Sequence, residues 1–156
     1  YGIPAYSVSL AAVTGDPRVA GAWQPVVGVV LDPVSGDAYS AALGAGATRE
    51  DAQGRITPLR VTDQSDLAQS LVATGFGYAP ARRAWQAAVL ADLITDIRDI
   101  RRIGSAALDL CRVAEGSVDA YYERGLNPWD LAAGWLVVTE AGGVVSGVSR
   151  AYPSAR

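Results

Sequence analysis

The stretch "NPWDLAAGWLVVTEAGG", residues 127–143, constrains the fold of this chain more than any other. Asn127 is a good helix N-cap, Pro128 fits the first helical position, and the run that follows stays apolar until a glycine pair. These signals predict a helix over 127–141 whose apolar remainder is anchored in a core. Asp130 falls in its first turn, where free backbone N–H groups and the positive end of the helix dipole stabilise a carboxylate. Taken alone, the segment accounts for Asp130 as an ordinary first-turn acid.

Upstream of this helix the hydrophobic pattern changes period once. "AYSVSLAAV", "QPVVGVVLD" and "GDAYSAALG" alternate at period two and are separated by "TGDPRVAG" and "PVSG", which carry turn chemistry, so an antiparallel β-meander is expected. The polar, Gly-rich residues 44–66 read as loop with a short strand at "ITPLRV". Asp32 and Asp37 in "LDPVSGDAY" look superficially like a metal loop, but Pro33 and Gly36 stand where a hairpin turn wants them. From "SLVATGFGY" onward strands alternate with helices: "ARRAWQAAVLADLITDI", "SAALDLCRVAEG" and 127–141 as helices, "SVDAYYE" and "GGVVSGV" as strands. The fold class is therefore α/β (α+β). Residues 1–63 form the end of an antiparallel sheet, and residues 64–156 an α/β half with a mixed sheet and flanking helices.

Composition narrows the function. The 156 residues carry a net charge of -3, and the 13 basic residues form no cluster denser than "RDIRR", which argues against a nucleic-acid surface. No apolar run reaches the roughly 18 residues of a membrane span. Without histidine, a His-based triad and a His-ligated metal are excluded from this chain. The single Cys111 sits in the apolar pattern "ALDLCRVA" and reads as a buried thiol in a reducing compartment. With no methionine present, Tyr1 is expected to lie inside a longer protein.

Three strand exits carry candidate chemistry. Gly104 and Ser105 join a strand to the helix "AALDLCRVAEG", a turn that serves either as a plain connection or as an anion or hydroxyl site. Glu123 ends the strand "SVDAYYE" on the same face as Asp119 and Tyr121. Asp130 opens the next helix. In an α/β sheet ligands gather outside the carboxyl ends of strands, so these groups are expected to converge on one crevice.

These residues resemble the inositol monophosphatase family, magnesium-dependent and lithium-sensitive sugar-phosphate phosphatases. "WDLAAGWLVVTEAGG" fits the family's C-terminal signature, "RRIGSAALDLCRVAEGSVDAYYERG" is similar to family members, and "TGFGY" and "YGIPAYSVSLAAV" resemble two further family segments. The resemblance is nearest to bacterial inositol-1-monophosphatases. It implies the sugar phosphatase fold, Asp130 as a Mg²⁺ ligand, Glu123 as the partner of a substrate hydroxyl, and Gly104, Ser105 and Ala106 as the turn that touches substrate. It also implies a small phosphorylated polyol as substrate, a homodimer and a cytoplasmic location.

The family's D-P-x-D-G-T motif and upstream glutamate pair are not in this sequence and would precede Tyr1. Ser35 stands where "LDPVSGD" would need a second metal-binding Asp. The complete protein is thus expected to hydrolyse a phosphate monoester, foremost inositol-1-phosphate, and this chain alone to be inactive. Fructose bisphosphate, histidinol phosphate and a nucleotide phosphate are the alternative substrates. A non-catalytic dimerisation module is the alternative role.

Overall fold

A computed structural model describes residues 2–19 and 21–147 of the chain. Its first part is a five-stranded antiparallel sheet in sequence order: β1 (Val8–Gly15), β2 (Trp23–Leu31), β3 (Ala38–Ala42), β4 (Gly46–Glu50) and β5 (Ile56–Pro58). Strands β1 and β2 run from the pair Val8–Leu31 to the pair Gly15–Trp23, with an irregularity between Ala12 and Val13. The turn between β2 and β3 forms around Asp32, whose Oδ1 accepts the Val34 N–H at 2.9 Å while Gly36 takes a positive φ of 81°. Asp32 and Asp37 therefore belong to a hairpin, as the turn residues predict.

Strand β4 departs from the sequence expectation, which placed a loop over these residues. "GATRE" has little strand propensity of its own, and it is held instead by its neighbours. It pairs with β3 from Ala42–Gly46 to Ala38–Glu50, and the Glu140 carboxylate receives the Gly44 and Gly46 N–H groups of the connecting turn, both at 2.8 Å. These backbone donors hold the Glu140 carboxyl below its usual range.

The second part contains a three-stranded sheet with β6 (Leu71–Thr74) in the centre, flanked by β7 (Asp99–Arg101) and β8 (Ala120–Tyr122). Both pairings are parallel. Three helices complete the fold: α1 (Pro80–Leu93), α2 (Ala106–Ala114) and α3 (Pro128–Glu140). The expected strand "GGVVSGV" does not form over residues 142–147, and its last residue, Val148, lies outside the described residues. Val145 still packs against the core, so this apolar stretch contributes burial without ladder bonds.

One hydrophobic cluster joins the two parts. Val30, Tyr39, Ala41 and Ala47 on the inner face of the antiparallel sheet meet Leu108, Leu110 and Cys111 of α2 and Leu131, Leu136 and Val137 of α3. The contact with α3 is close because Gly28 has no side chain: a Cβ there would lie 2.8 Å from the Ala133 Cα. Burial pushes the Cys111 thiol well above its ordinary range, in keeping with an inert core cysteine. Polar bonds reinforce the junction. Glu115, at the end of α2, accepts from Tyr39 of β3 at 3.0 Å, Arg49 of β4 at 3.1 Å, Arg112 at 2.7 Å and Ser117 at 2.8 Å. Burial opposes ionisation of Glu115, but these donors outweigh it and its carboxyl stays below its usual range.

Candidate functional site

An open cleft of ≈ 670 Å³ lies where the start of β1 meets the C-terminal ends of the parallel strands. Four segments wall it: residues 5–9 entering β1, the loop 75–78 after β6, the turn 102–107 into α2, and residues 123–130 between β8 and α3. Gly104, Ser105, Ala106, Glu123 and Asp130, the five residues singled out in the sequence, all line it. Three strand exits thus bring their chemistry to one crevice, as the topology of a parallel sheet requires.

Each of these residues is placed by local structure. Gly104 turns the chain at a φ of 118°, and Ser105 caps α2 by accepting the Leu108 N–H at 3.4 Å. The Ser105 hydroxyl also lies 3.0 Å from that of Ser7, which ties the turn to the approach of β1. Asp130 accepts the Asn127 N–H at 3.0 Å and the Asn127 side-chain amide at 3.4 Å, so its carboxylate completes the cap of α3 while facing the cleft. The structural and ligand-binding readings of Asp130 are compatible, since a carboxylate oriented by a cap is held in one place.

Glu123 is held from two sides. Tyr121, two residues back on the same face of β8, donates its hydroxyl to Glu123 Oε2 at 2.5 Å. Its phenol is raised far above its usual range by burial and by the Glu123 charge, so the hydroxyl keeps its proton and remains a donor. On the other side the carboxylate rests on Gly75, where a Cβ would fall within the carboxylate itself. Gly75 is in turn fixed by α1: the buried Gln86 donates Nε2–H to the Gly75 carbonyl at 3.2 Å and accepts the Gly77 N–H at 2.9 Å.

Sequence reasoning missed several members of this site. Gln86 is the one buried residue of α1 among those described, and the only signal was an amide in an otherwise Ala-rich helix. Arg82 also escaped notice: it lies against Gly77 and Gly125 at the cleft wall and makes no ion pair among the described residues. Trp85, also on α1, stacks under the Arg124 guanidinium at 4.7 Å. Asp109, hidden in the apolar string "ALDLCRVA", lines the cleft from α2 with only 1% of its surface exposed. Its Oδ1 has no hydrogen-bond partner among the described residues. Its pKa is pushed up to about 7, by burial first and the Glu123 charge second, with Arg102, Arg112 and the Gly104 N–H offsetting part of the rise.

Comparison with known proteins identifies the family and the fold. The chain matches the inositol monophosphatase family over residues 1–154 and belongs to it. An inositol-1-monophosphatase of Mycobacterium leprae is 50% identical over 145 residues, covering 93% of this chain and 47% of that protein. A relative in Pasteurella multocida, 46% identical over 145 residues and matched over 92% of this chain and 50% of its own length, bears the name Nus factor SuhB. The solved structure of Mycobacterium tuberculosis SuhB superposes with a TM-score of 0.81 at 49% identity, covering 91% of this chain and 55% of that one. The chain therefore spans about half the length of the relatives it matches, and the fold is that of the sugar phosphatases. No helix among the described residues is long and apolar enough to cross a membrane.

Proposed function

We propose that this chain supplies the substrate-holding wall and one metal-binding carboxylate of a Mg²⁺-dependent phosphate-monoester hydrolase, with inositol-1-phosphate as the substrate. The observation that carries this reading is the convergence of Gly104, Ser105, Ala106, Glu123 and Asp130 on a single cleft. Family membership supports the phosphatase class. The Nus factor name of some relatives leaves activity and substrate to be tested on this protein itself.

In this reading Glu123, pre-oriented by Tyr121 and the Gly75 slot, accepts a hydroxyl of the polyol. The Gly104–Ala106 turn, at the N-terminus of α2, would touch the ligand through its backbone. Asp130 would present a carboxylate oxygen to Mg²⁺, a hard ion that takes oxygen ligands. The donor chemistry fits the ion, but no three acidic or thiol groups converge to hold one among the described residues. The chain alone is accordingly proposed to be inactive, because a single carboxylate, with water filling the other positions, holds Mg²⁺ weakly and leaves the attacking water unpositioned. When bound, the ion polarises phosphoryl oxygens and activates water.

Steady-state kinetics of the full-length protein across a Mg²⁺ titration test this assignment. Asp130→Asn should lower kcat by roughly 100-fold or more and move the Mg²⁺ midpoint upward, since an amide is a poorer ligand and carries no charge. Glu123→Gln should act mainly on KM and leave the Mg²⁺ midpoint in place. A near-normal kcat with an unshifted midpoint for Asp130→Asn would end the metal assignment. Faster turnover of fructose bisphosphate, histidinol phosphate or a nucleotide phosphate than of inositol-1-phosphate would replace the substrate.

A further inference from the structure

Besides the residues assigned above, the lining of the cleft contains one group with no account: a carboxylate that is almost wholly buried and has an oxygen without a partner among the described residues. Buried polar atoms in folded proteins are nearly always hydrogen-bonded, and an orphan at the floor of a cleft marks a place where something else completes the set. We propose that Asp109 is a polyol-binding residue: its Oδ1 accepts a second hydroxyl of the ligand whose first hydroxyl is held by Glu123. The inference rests on the hydrolase reading above and extends it to a residue that sets ligand preference.

Three features of the surroundings favour a neutral, hydroxyl-bearing ligand group at this point. Asp109 lies close enough to Glu123 to feel its charge, and Asp130 lines the same cleft, so a second anion would meet repulsion. The positive charges near Asp109 are Arg112 on its own helix and Arg102 just before that helix, and neither forms an ion pair with it. Tyr121, the remaining polar group that faces it from β8, already spends its hydroxyl on Glu123. A ligand hydroxyl is thus the donor that the site lacks. Two acids accepting from one ligand select a molecule with at least two hydroxyl groups, which is the property that separates a polyol phosphate from a simple alkyl phosphate.

The role has a pH signature. In the free protein Asp109 changes charge near pH 7. A hydroxyl donates more strongly to a carboxylate than to a neutral carboxyl, so ligand binding favours the ionised form and releases a proton to solvent. Affinity for the polyol should then rise as pH increases through about 7. Glu123, Tyr121, Arg102 and Arg112 are the titratable and charged groups around Asp109, and because Glu123 is charge-coupled to it, the pH dependence lost on replacing Asp109 belongs to the Asp109–Glu123 pair.

The test is calorimetric titration of the full-length protein with myo-inositol, which is uncharged and cannot be hydrolysed, between pH 5.5 and 8.5. Wild-type affinity should rise about 10-fold across that range, the surplus of a charge-assisted over a neutral hydrogen bond, with proton release near the middle. Asp109→Asn, which keeps the shape, should bind with a flat pH profile. Asp109→Ala should bind about 10-fold more weakly than wild type at pH 8. A pH rise that survives in Asp109→Asn, or wild-type affinity in Asp109→Ala, would overturn the role of Asp109 while leaving the hydrolase reading intact. A wild-type protein that binds neither inositol nor inositol-1-phosphate would remove the hydrolase reading, and this inference with it.

Discussion

Helices α1 and α3 are nearly equal in length, 14 and 13 residues, and both begin with proline, yet they do opposite work. Helix α3 buries Leu131, Ala132, Ala133, Gly134, Leu136, Val137 and Val138, with sheet on one side and α2 on another. Helix α1 buries one described residue, Gln86, and leaves Trp85 46% exposed. The buried helix carries its candidate metal ligand at its very start, where Asp130 is fixed by the cap and the rest of the helix acts as an anchor. The exposed helix carries its groups along one side, where Arg82, Trp85 and Gln86 reach the loops that wall the cleft. Positioning a ligand-binding group takes a rigid base, and the two helices provide it in different ways: α3 through apolar packing, α1 through hydrogen bonds to loop backbone.

If this contrast is right, damage to α3 should be large and global. Leu136→Ala, in a side chain with 2% of its surface exposed, should cost about 3 kcal/mol of unfolding free energy. Gly28→Ala, which drives a methyl group into the α3 backbone, should cost about 2 kcal/mol. Urea melts of both variants check these values. A loss below about 1 kcal/mol for Leu136→Ala would show that α3 is less tightly anchored than its burial indicates.

Damage to α1 should be smaller and local. Gln86→Ala strands the Gly77 N–H and the Gly75 carbonyl, for a stability cost of about 1–2 kcal/mol. Because Gly75 underlies the Glu123 carboxylate, the same variant should raise KM for the polyol phosphate several-fold with little change in the Mg²⁺ midpoint. Unchanged KM together with the stability loss would make Gln86 a purely structural residue. Least of all, Ala84→Gly on the exposed face of α1 should lower stability by about 1 kcal/mol through helix propensity alone and leave kinetics untouched.

Much of this architecture was legible in the residues. Asn-Pro at the start of α3, Gly-Ser at the start of α2 and the period-two runs of β1 to β3 are local signals, set by side-chain capping, fixed proline geometry and alternation, and the structure follows them. The local placement of the five candidate site residues was legible for a related reason, since each sits at a strand exit or helix start whose backbone chemistry is determined within a few positions along the chain. Strand β4 was not legible, because its stability comes from β3 on one side and from Glu140, 94 to 96 residues away in sequence, on its turn. The expected strand after α3 shows the converse error: "GGVV" has strand composition, but through residue 147 it gains no partner strand.

The sequence by itself determined where the helices begin, which runs alternate, and that a cap carboxylate, a strand-end glutamate and a Gly-Ser turn exist. Only the tertiary structure decided which of these groups meet, and what a given polar residue is for. Gln86 reads as one more polar residue in a helix until its two backbone partners, 9 and 11 positions away, come into contact with it. Asp109 goes unmarked in the apolar string "ALDLCRVA" until burial removes its water and Glu123 arrives beside it. The physical reason is the range of the forces: capping and propensity act within one or two turns of chain, whereas desolvation and charge coupling depend on neighbours that only the folded chain brings together.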